Sequence, residues 1–355
     1  MESVIALGAA APGGSTLLEV EDHSQIGGAR RSAVALGNSH GLSEDAVGRL
    51  AIVVTEAATN IVRHAERGIM VIRALVAGST PAIEILALDK GPGIPEVERA
   101  MRDGYSTSGT PGQGLGGMQR LADVFEIHSQ RGTGTAVLAR IGERPRLSSR
   151  AARTMSVDDR IGAVCVPLRG ETECGDAWRV IVGRRGLSVM LVDGLGHGPE
   201  AAQAAAAATN AFAKTASARP EEALAALDAA MHGTRGAALS VVMIDDAART
   251  TRFSGVGNVD GRVLSDGPTE HLVPQNGIAG CKMPLLKVMD TAWPIGARLV
   301  LHSDGIAPRW RMDSYPGLKT AHPGLVAGII YRDFARDRDD VTILVVSDVA
   351  GAKTE

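Results

Sequence analysis

The chain has 355 residues, enough for two domains of ordinary size that each bury a core. Hydrophobic residues make up 45% and charged residues 22%, the balance of a globular protein and not of a disordered one. Lys and Arg number 37 against 40 Asp and Glu, and a net charge of −3 supplies no positive field for nucleic acid or an anionic membrane surface.

Aromatic residues are only 3%, so the cores must be built from Val, Leu, Ile, Ala and Met. The three cysteines, Cys165, Cys174 and Cys281, have no metal-ligand spacing, and an odd count does not suggest a disulfide framework. A reducing cytosol suits them. The opening MESVIALGAAAPGG carries Glu2 where a secretory signal is basic. The Ala-rich run 201–213 is too short to span a bilayer. A cytoplasmic location with no membrane contact is expected.

In chain order, Ser3–Val20 reads as one or two strands around a Pro-Gly-Gly turn. Ile26–Leu36 and Glu44–His64 have helical periodicity, and Ser43 is placed to cap the second helix. That helix carries Glu56 and Asn60, four residues apart and therefore on one face of an otherwise apolar segment. A carboxylate can take a proton from a hydroxyl, and an amide oxygen can ligate Mg²⁺. His64 reads as a helix-end histidine.

Two strands are expected at Ile69–Val76 and Ala82–Leu88, the second running into Asp89-Lys90-Gly91-Pro92-Gly93. After a short helical stretch at Glu96–Met101 comes DGYSTSGTPGQGLGGMQRLADVF, a glycine-rich loop expected to open a helix at about Met118. Backbone N–H groups in such a loop, with a helix N-terminus behind them, favour a phosphate chain. A strand pair at Phe125–Ser129 and Thr135–Arg140 closes the region.

The order E-x-x-x-N on a helix, D-x-G-x-G after a strand, a Gly loop and G-T-G-T resembles the GHKL ATPase/kinase family. Within it, the run from Ala100 to Val137 is most similar to the RsbT-type serine kinases. The resemblance implies an ATP and Mg²⁺ site in a Bergerat α/β sandwich. By position, Glu56 is then the base for the acceptor hydroxyl and Asn60 the Mg²⁺ ligand. Asp89 pairs with the adenine amino group, Gly91 and Gly93 pass close to the base, and Thr135 lies near it. Gly112, Gly114, Gly116 and Gly117 form the lid over the phosphates.

Residues 142–156 break all periodicity and read as a linker, spanning on the order of 20 Å if flexible. The domains are thus expected at 1–141 and 157–350. Asp159–Pro167 reads as a strand, and Asp176 opens and Asp193 ends a hairpin around Gly183–Gly186. Helices follow at Pro199–Ser217 and Pro220–His232, with strands at Leu239–Asp245, Thr250–Gly255 and Gly261–Ser265. A strand from Trp293 ends in Ser303-Asp304-Gly305. A helix near Pro323–Ala335 precedes Asp339, Asp340 and the last strand.

Carboxylates at strand ends far apart in sequence would repel once gathered, so a cation is expected between them. Two divalent ions sharing a carboxylate can acidify a water and align it for attack on phosphorus. The stretches CGDAW, VDGLGHG, ALSVVMID, FSGVGNVDG, LHSDG and DDVTILVV resemble the PP2C-type phosphatases, in their SpoIIE/RsbX-like branch. The resemblance implies an αββα sandwich with two Mn²⁺ or Mg²⁺. It makes Asp193 the bridging ligand, Gly194 a carbonyl ligand, Asp304 and Asp339 ligands of the second ion, and Asp176 the holder of bound water. Asp339 is preferred to Asp340, His197 reads as a turn residue, and Asn258 as a turn closure.

The expectation is an α+β chain of two domains, a protein serine/threonine kinase followed by a phosphatase. The resemblance implies STAS-domain proteins as substrates in a partner-switching or stressosome pathway. The alternative is an anti-sigma-like module that binds ATP and a partner without turnover, fused to an active phosphatase.

Overall fold

The structure, a computed structural model, describes residues 5–9, 14–75, 81–101, 114–143, 157–215 and 218–348. Gly112 and residues 144–156 of the expected linker lie outside them. Strand β1 (Ile5–Ala9) is followed by β2 (Thr16–Val20), α1 (His23–Ser39), α2 (Glu44–Ala65), β3 (Gly68–Leu75) and β4 (Ala82–Asp89). Then come α3 (Val97–Ala100), α4 (Gly114–Leu121), β5 (Val124–Gln130) and β6 (Gly134–Gly142).

The second half continues with β7 (Ile161–Val166), β8 (Asp176–Val182), β9 (Gly186–Gly194), α5 (Pro199–Phe212), α6 (Pro220–Met231) and β10 (Ala237–Asp245). It closes with β11 (Thr250–Val256), β12 (Asp260–Leu264), β13 (Glu270–Leu272), β14 (Met289–Ala292), β15 (Arg298–His302), α7 (Pro323–Phe334) and β16 (Val341–Ser347). No helix among the described residues is long and apolar enough to cross a membrane.

Two compact units emerge, and they interleave along the chain where the sequence suggests one contiguous stretch each. The N-terminal unit takes Ser15–Asp159 and also Arg311–Arg332. The C-terminal unit takes Arg160–Trp310, the described residues before Ser15 and those from Asp333 on. The reason is strand pairing and helix packing: β1 runs antiparallel to β8, with Leu7 opposite Val180, and α7 packs on the sheet of the N-terminal unit.

In the N-terminal unit the sheet order is β2-β3-β4-β6-β5, antiparallel throughout. Asp22 caps α1 by accepting from the Ser24 and Gln25 N–H groups, and the Ser43 hydroxyl caps α2. The apolar faces of α1 and α2 cover one side of the sheet through Ala33, Leu50, Val54 and Ile61 against Ile83, Ile85 and Ala87. Alternation turns Glu84, Leu86 and Leu88 to the other side, where α7 lies. Its Gly324 and Gly328 are one turn apart, and added Cβ atoms would come within 2.7 Å of Leu138 and 3.1 Å of Leu88. Small residues at that spacing are what let a helix lie this close.

Glu84 sits between two arginines in a row across the sheet, opposite Arg73 on β3 and Arg140 on β6. Its two oxygens accept from the Arg73 and Arg140 Nε atoms, each at 2.6 Å, and Glu84 is 1% exposed. Burial raises the carboxyl pKa, but the two guanidinium groups outweigh it and bring the value down to about 2.

In the C-terminal unit two sheets have the orders β1-β8-β9-β10-β11-β14 and β13-β12-β15-β16-β7. Helices α5 and α6 cover the six-stranded sheet, burying Ala205, Ala208, Phe212, Leu224 and Leu227 against Ile181, Met190, Val192 and Leu239. Alternation along β9 puts Val189, Leu191 and Asp193 on the face away from those helices. A carboxylate is thereby turned into the apolar side of a strand end.

Glu84→Ala leaves two buried arginines facing each other and should destabilise the N-terminal unit by about 3–5 kcal/mol, read by urea denaturation. The wild-type carboxyl is depressed from 4.5 to about 2, so its contribution is complete above pH 4.5 and is lost as pH falls towards 2. The gap between variant and wild type should narrow over that acid window.

Candidate functional site

In the N-terminal unit Glu56 and Asn60 lie on α2, both half-buried, on the helix whose other face is core. Asp89 ends β4, and its Oδ1 accepts from the Gly91 N–H at 2.8 Å and the Thr135 N–H at 3.2 Å. Among the described residues no donor reaches its Oδ2. Burial raises the Asp89 pKa, with these backbone bonds opposing. The Thr135 hydroxyl meets Ser129 at 2.9 Å.

Glycine is required here for clearance. Gly134 has φ +113°, and a Cβ there would lie 2.0 Å from the Asp89 carbonyl oxygen. Gly93, at φ +72°, would meet the Gln130 carbonyl at 2.3 Å, and Gly91 would meet Ala65 at the end of α2. These approaches pin the loop after Asp89 between α2 and the β5–β6 turn. Helix α4 is described from Gly114 on, so Gly114, Gly116 and Gly117 lie within its described length ahead of the expected Met118. His64 is in the last turn of α2, with burial lowering its pKa.

In the C-terminal unit the hairpin expected from sequence is formed, and its register places Asp176 directly opposite Asp193. Both are nearly buried, at 5% and 9% exposure. Like charges facing each other across a strand pair destabilise it. The Oδ2 atoms of both residues are buried and have no hydrogen-bond partner. Burial, then Asp193, pushes Asp176 well above the ordinary carboxyl range. Burial, followed by Asp304 and Asp339, raises Asp193 to about 8.

The other sheet repeats the arrangement at its own edge. Asp304 follows β15 and Asp339 precedes β16, its antiparallel neighbour, so both stand at one end of the pair. Asp304 and Asp339 stand close enough to Asp193 that their charges help raise its pKa. Asn258 donates Nδ2 to Asp304 Oδ2 at 2.7 Å, and Arg336 donates Nη1 to the Asp304 carbonyl at 3.2 Å. Gly194 ends β9, and its N–H donates to the Gly175 carbonyl at 3.0 Å.

Asp340 has a different part. It is 2% exposed, and its oxygens accept from the Leu168 and Gly175 N–H groups, each at 2.6 Å. It braces the chain entering β8 while Asp339, half-buried, accepts the Asp340 N–H at 2.9 Å. The sequence showed two aspartates in tandem; only their backbone partners separate the brace from the residue facing the cluster. His197 pairs with Glu171 at 2.7 Å, a contact with no signal in the sequence.

Among the described residues no three His, Cys, Asp or Glu side chains close into a metal cage. The two orphaned oxygens nonetheless fit a hard cation of the Mg²⁺ or Mn²⁺ kind, which takes one or two carboxylates and keeps several waters. A charge between Asp176 and Asp193 would remove both the repulsion and the unpaired buried atoms.

Two raised carboxyls imply a sign for pH. Asp193 rises from 3.8 to about 8, so without cations the fold holds a proton that the unfolded chain releases. Its stability should fall as pH rises across that window. In chelator above pH 8, Asp193→Asn should melt higher than wild type. Wild type should gain about 2.7 kcal/mol at Mn²⁺ a hundredfold above its Kd, and the variant less than half of that. Scanning calorimetry with and without Mn²⁺ reads both.

Residues 20–141 match the family described as "Histidine kinase-like ATPase domain", and residues 183–348 the one described as "Stage II sporulation protein E (SpoIIE)". The chain is 40% identical over 91 residues to the serine/threonine-protein kinase RsbT of Bacillus subtilis (strain 168), covering 26% of this chain and 68% of RsbT. It is 28% identical over 138 residues to the phosphoserine phosphatase RsbX of the same organism, covering 39% of this chain and 69% of RsbX. An anti-sigma F factor of Thermoanaerobacter sp. (strain X514) is 36% identical over 90 residues, or 24% of this chain and 62% of that protein. A solved structure described as "The bacterial stressosome: a modular system that has been adapted to control secondary messenger signaling" has a TM-score of 0.50 and 26% identity, covering 52% of this chain and 97% of its own. The chain therefore belongs to the histidine kinase-like ATPase family with RsbT, and carries in the same polypeptide a SpoIIE-type domain homologous to RsbX.

Proposed function

We propose that the chain is a two-way signalling enzyme, an ATP-dependent protein serine/threonine kinase joined to a Mn²⁺/Mg²⁺-dependent phosphoserine/phosphothreonine phosphatase. Its substrates are STAS-domain proteins of a partner-switching pathway, and it works in the cytoplasm. The observation that carries the phosphatase half is the buried Asp176–Asp193 pair with an unpartnered oxygen on each side chain.

Asp176, Asp193, the Gly194 carbonyl, Asp304 and Asp339 hold the cations. Divalent ions there lower the pKa of water and offset the charge of a phosphomonoester. Asn258 fixes the rotamer of Asp304 through its amide, and Asp340 holds the start of β8 in register through Gly175. Arg336 places a guanidinium beside Asp304, on the exposed side from which a phosphoprotein arrives.

In the kinase half Asp89 Oδ2 is the acceptor left for an adenine amino group, and Gly91, Gly93 and Thr135 form the wall around it. Asn60 ligates Mg²⁺, and the lid glycines Gly114, Gly116 and Gly117 present N–H groups to the phosphates. Glu56 takes the proton of the acceptor hydroxyl as the γ-phosphoryl group is transferred. Opposed activities on one site would only hydrolyse ATP, so separate substrates or regulation must divide them.

Similarity to an anti-sigma F factor favours a second reading, in which the first domain binds ATP and a partner without turnover. Labelled ATP with an unphosphorylated STAS protein separates the two. Transfer of label that falls by a factor of about 10²–10⁴ in Glu56→Ala, with ATP still bound, supports the kinase. No label transfer by wild type leaves the binding module. Phosphate release from the phosphorylated STAS protein with Mn²⁺ should fall in Asp193→Ala by more than the roughly 100-fold that loss of a supporting residue costs.

A further inference from the structure

The Sγ atoms of Cys165 and Cys174 lie 3.8 Å apart, and neither is in a disulfide. Cys165 is buried on β7, in the five-stranded sheet; Cys174 is half-buried in the turn that leads into β8, in the six-stranded sheet. Cys165 Sγ also stands 3.6 Å from the Asp176 carbonyl. We infer that these two thiols form a reversible disulfide under oxidation and that the bond weakens divalent-cation binding at the Asp176–Asp193 edge. The consequence for turnover rests on the phosphatase reading; the bond itself does not.

The chemistry needs a two-electron oxidant, and a hydroperoxide supplies it. The Cys174 sulfur, the more accessible, attacks one peroxide oxygen; the O–O bond breaks, and the leaving oxygen departs as water after taking a proton. Cys165 then attacks the sulfenic sulfur, the S–O bond breaks, and a second water leaves. Two thiols and one hydrogen peroxide become one disulfide and two waters. Contact with Cys165 and burial hold the Cys174 thiol above its ordinary pKa, which slows the first step without moving the sulfurs apart.

A disulfide brings its sulfurs to about 2.05 Å, so this pair must close by nearly half its separation. Gly175, next to Cys174, has little room to follow. A Cβ there would lie 2.5 Å from the Ala201 Cβ and 2.8 Å from Asp340 Oδ2. Its N–H is held by Asp340 and its carbonyl by the Gly194 N–H. Tension on Cys174 therefore loads the two bonds that set Asp176 opposite Asp193. The cation-binding edge is where the strain is released.

The test uses the full chain treated with hydrogen peroxide, alkylated, digested without reduction and analysed by mass spectrometry. Trypsin cuts after Arg169, between the two cysteines, so the bond joins separate peptides. Exposed Cys281 serves as the internal measure of general oxidation. The expected result is a Cys165–Cys174 linked pair, a tenfold or greater rise in the Mn²⁺ Kd by calorimetry, and restoration by dithiothreitol. Cys174→Ser should bind Mn²⁺ like reduced wild type and lose the response to peroxide. Oxidation of Cys281 without the linked pair, pairing of Cys174 with another chain, or a linked form with unchanged Mn²⁺ affinity would each overturn the inference. If the linked pair forms and Mn²⁺ binding weakens while no phosphatase activity is ever seen, only the functional reading fails.

Discussion

Two carboxylates, Asp176 and Asp193, face each other across adjacent strands with hardly any water around them. The C-terminal unit is arranged around that conflict. Strand β9 brings one carboxylate to the end of its apolar face, and the glycines after it let the chain turn away at once. The antiparallel partner delivers the other at the same level. Left alone, the pair keeps protons that carboxyls normally shed; given a cation, it becomes a binding edge.

The N-terminal unit meets a comparable difficulty with a different solution. Glu84 is buried as deeply as the aspartates, but its charge is answered within the sheet by Arg73 and Arg140 on either side. One carboxylate with two cationic neighbours is structural and closed to ligands. Two carboxylates with none between them are open to one. Burial is similar in the two places, so the balance of neighbouring charge decides which is architecture and which is chemistry.

Close backbone approach does the remaining work of both sites. Gly134 lets β6 pass against the carbonyl of Asp89, and Gly175 lets the entry to β8 fit between α5 and Asp340. At each place a side chain would collide with an aspartate, at Gly134 with the Asp89 backbone carbonyl and at Gly175 with the Asp340 carboxylate. The same tightness is what a Cys165–Cys174 bond of the kind inferred above would strain.

Much of this was legible in the residues. The hairpin ending in Asp193, the Asp-Gly after β15, the Glu56–Asn60 spacing and the capped helices are local patterns, governed by alternation, turn chemistry and helical period. The sequence by itself determined which residues would stand at strand ends and on which face. Tertiary structure decided what no local pattern carries: that β1 pairs with β8, that α7 covers the sheet formed by β2 to β6, that Asp340 is a brace beside Asp339, and that Cys165 lies against Cys174. Those outcomes depend on partners distant in the chain, or on the separate sheets to which Cys165 and Cys174 lead. They are fixed by register and packing, which appear only when the sheets are assembled.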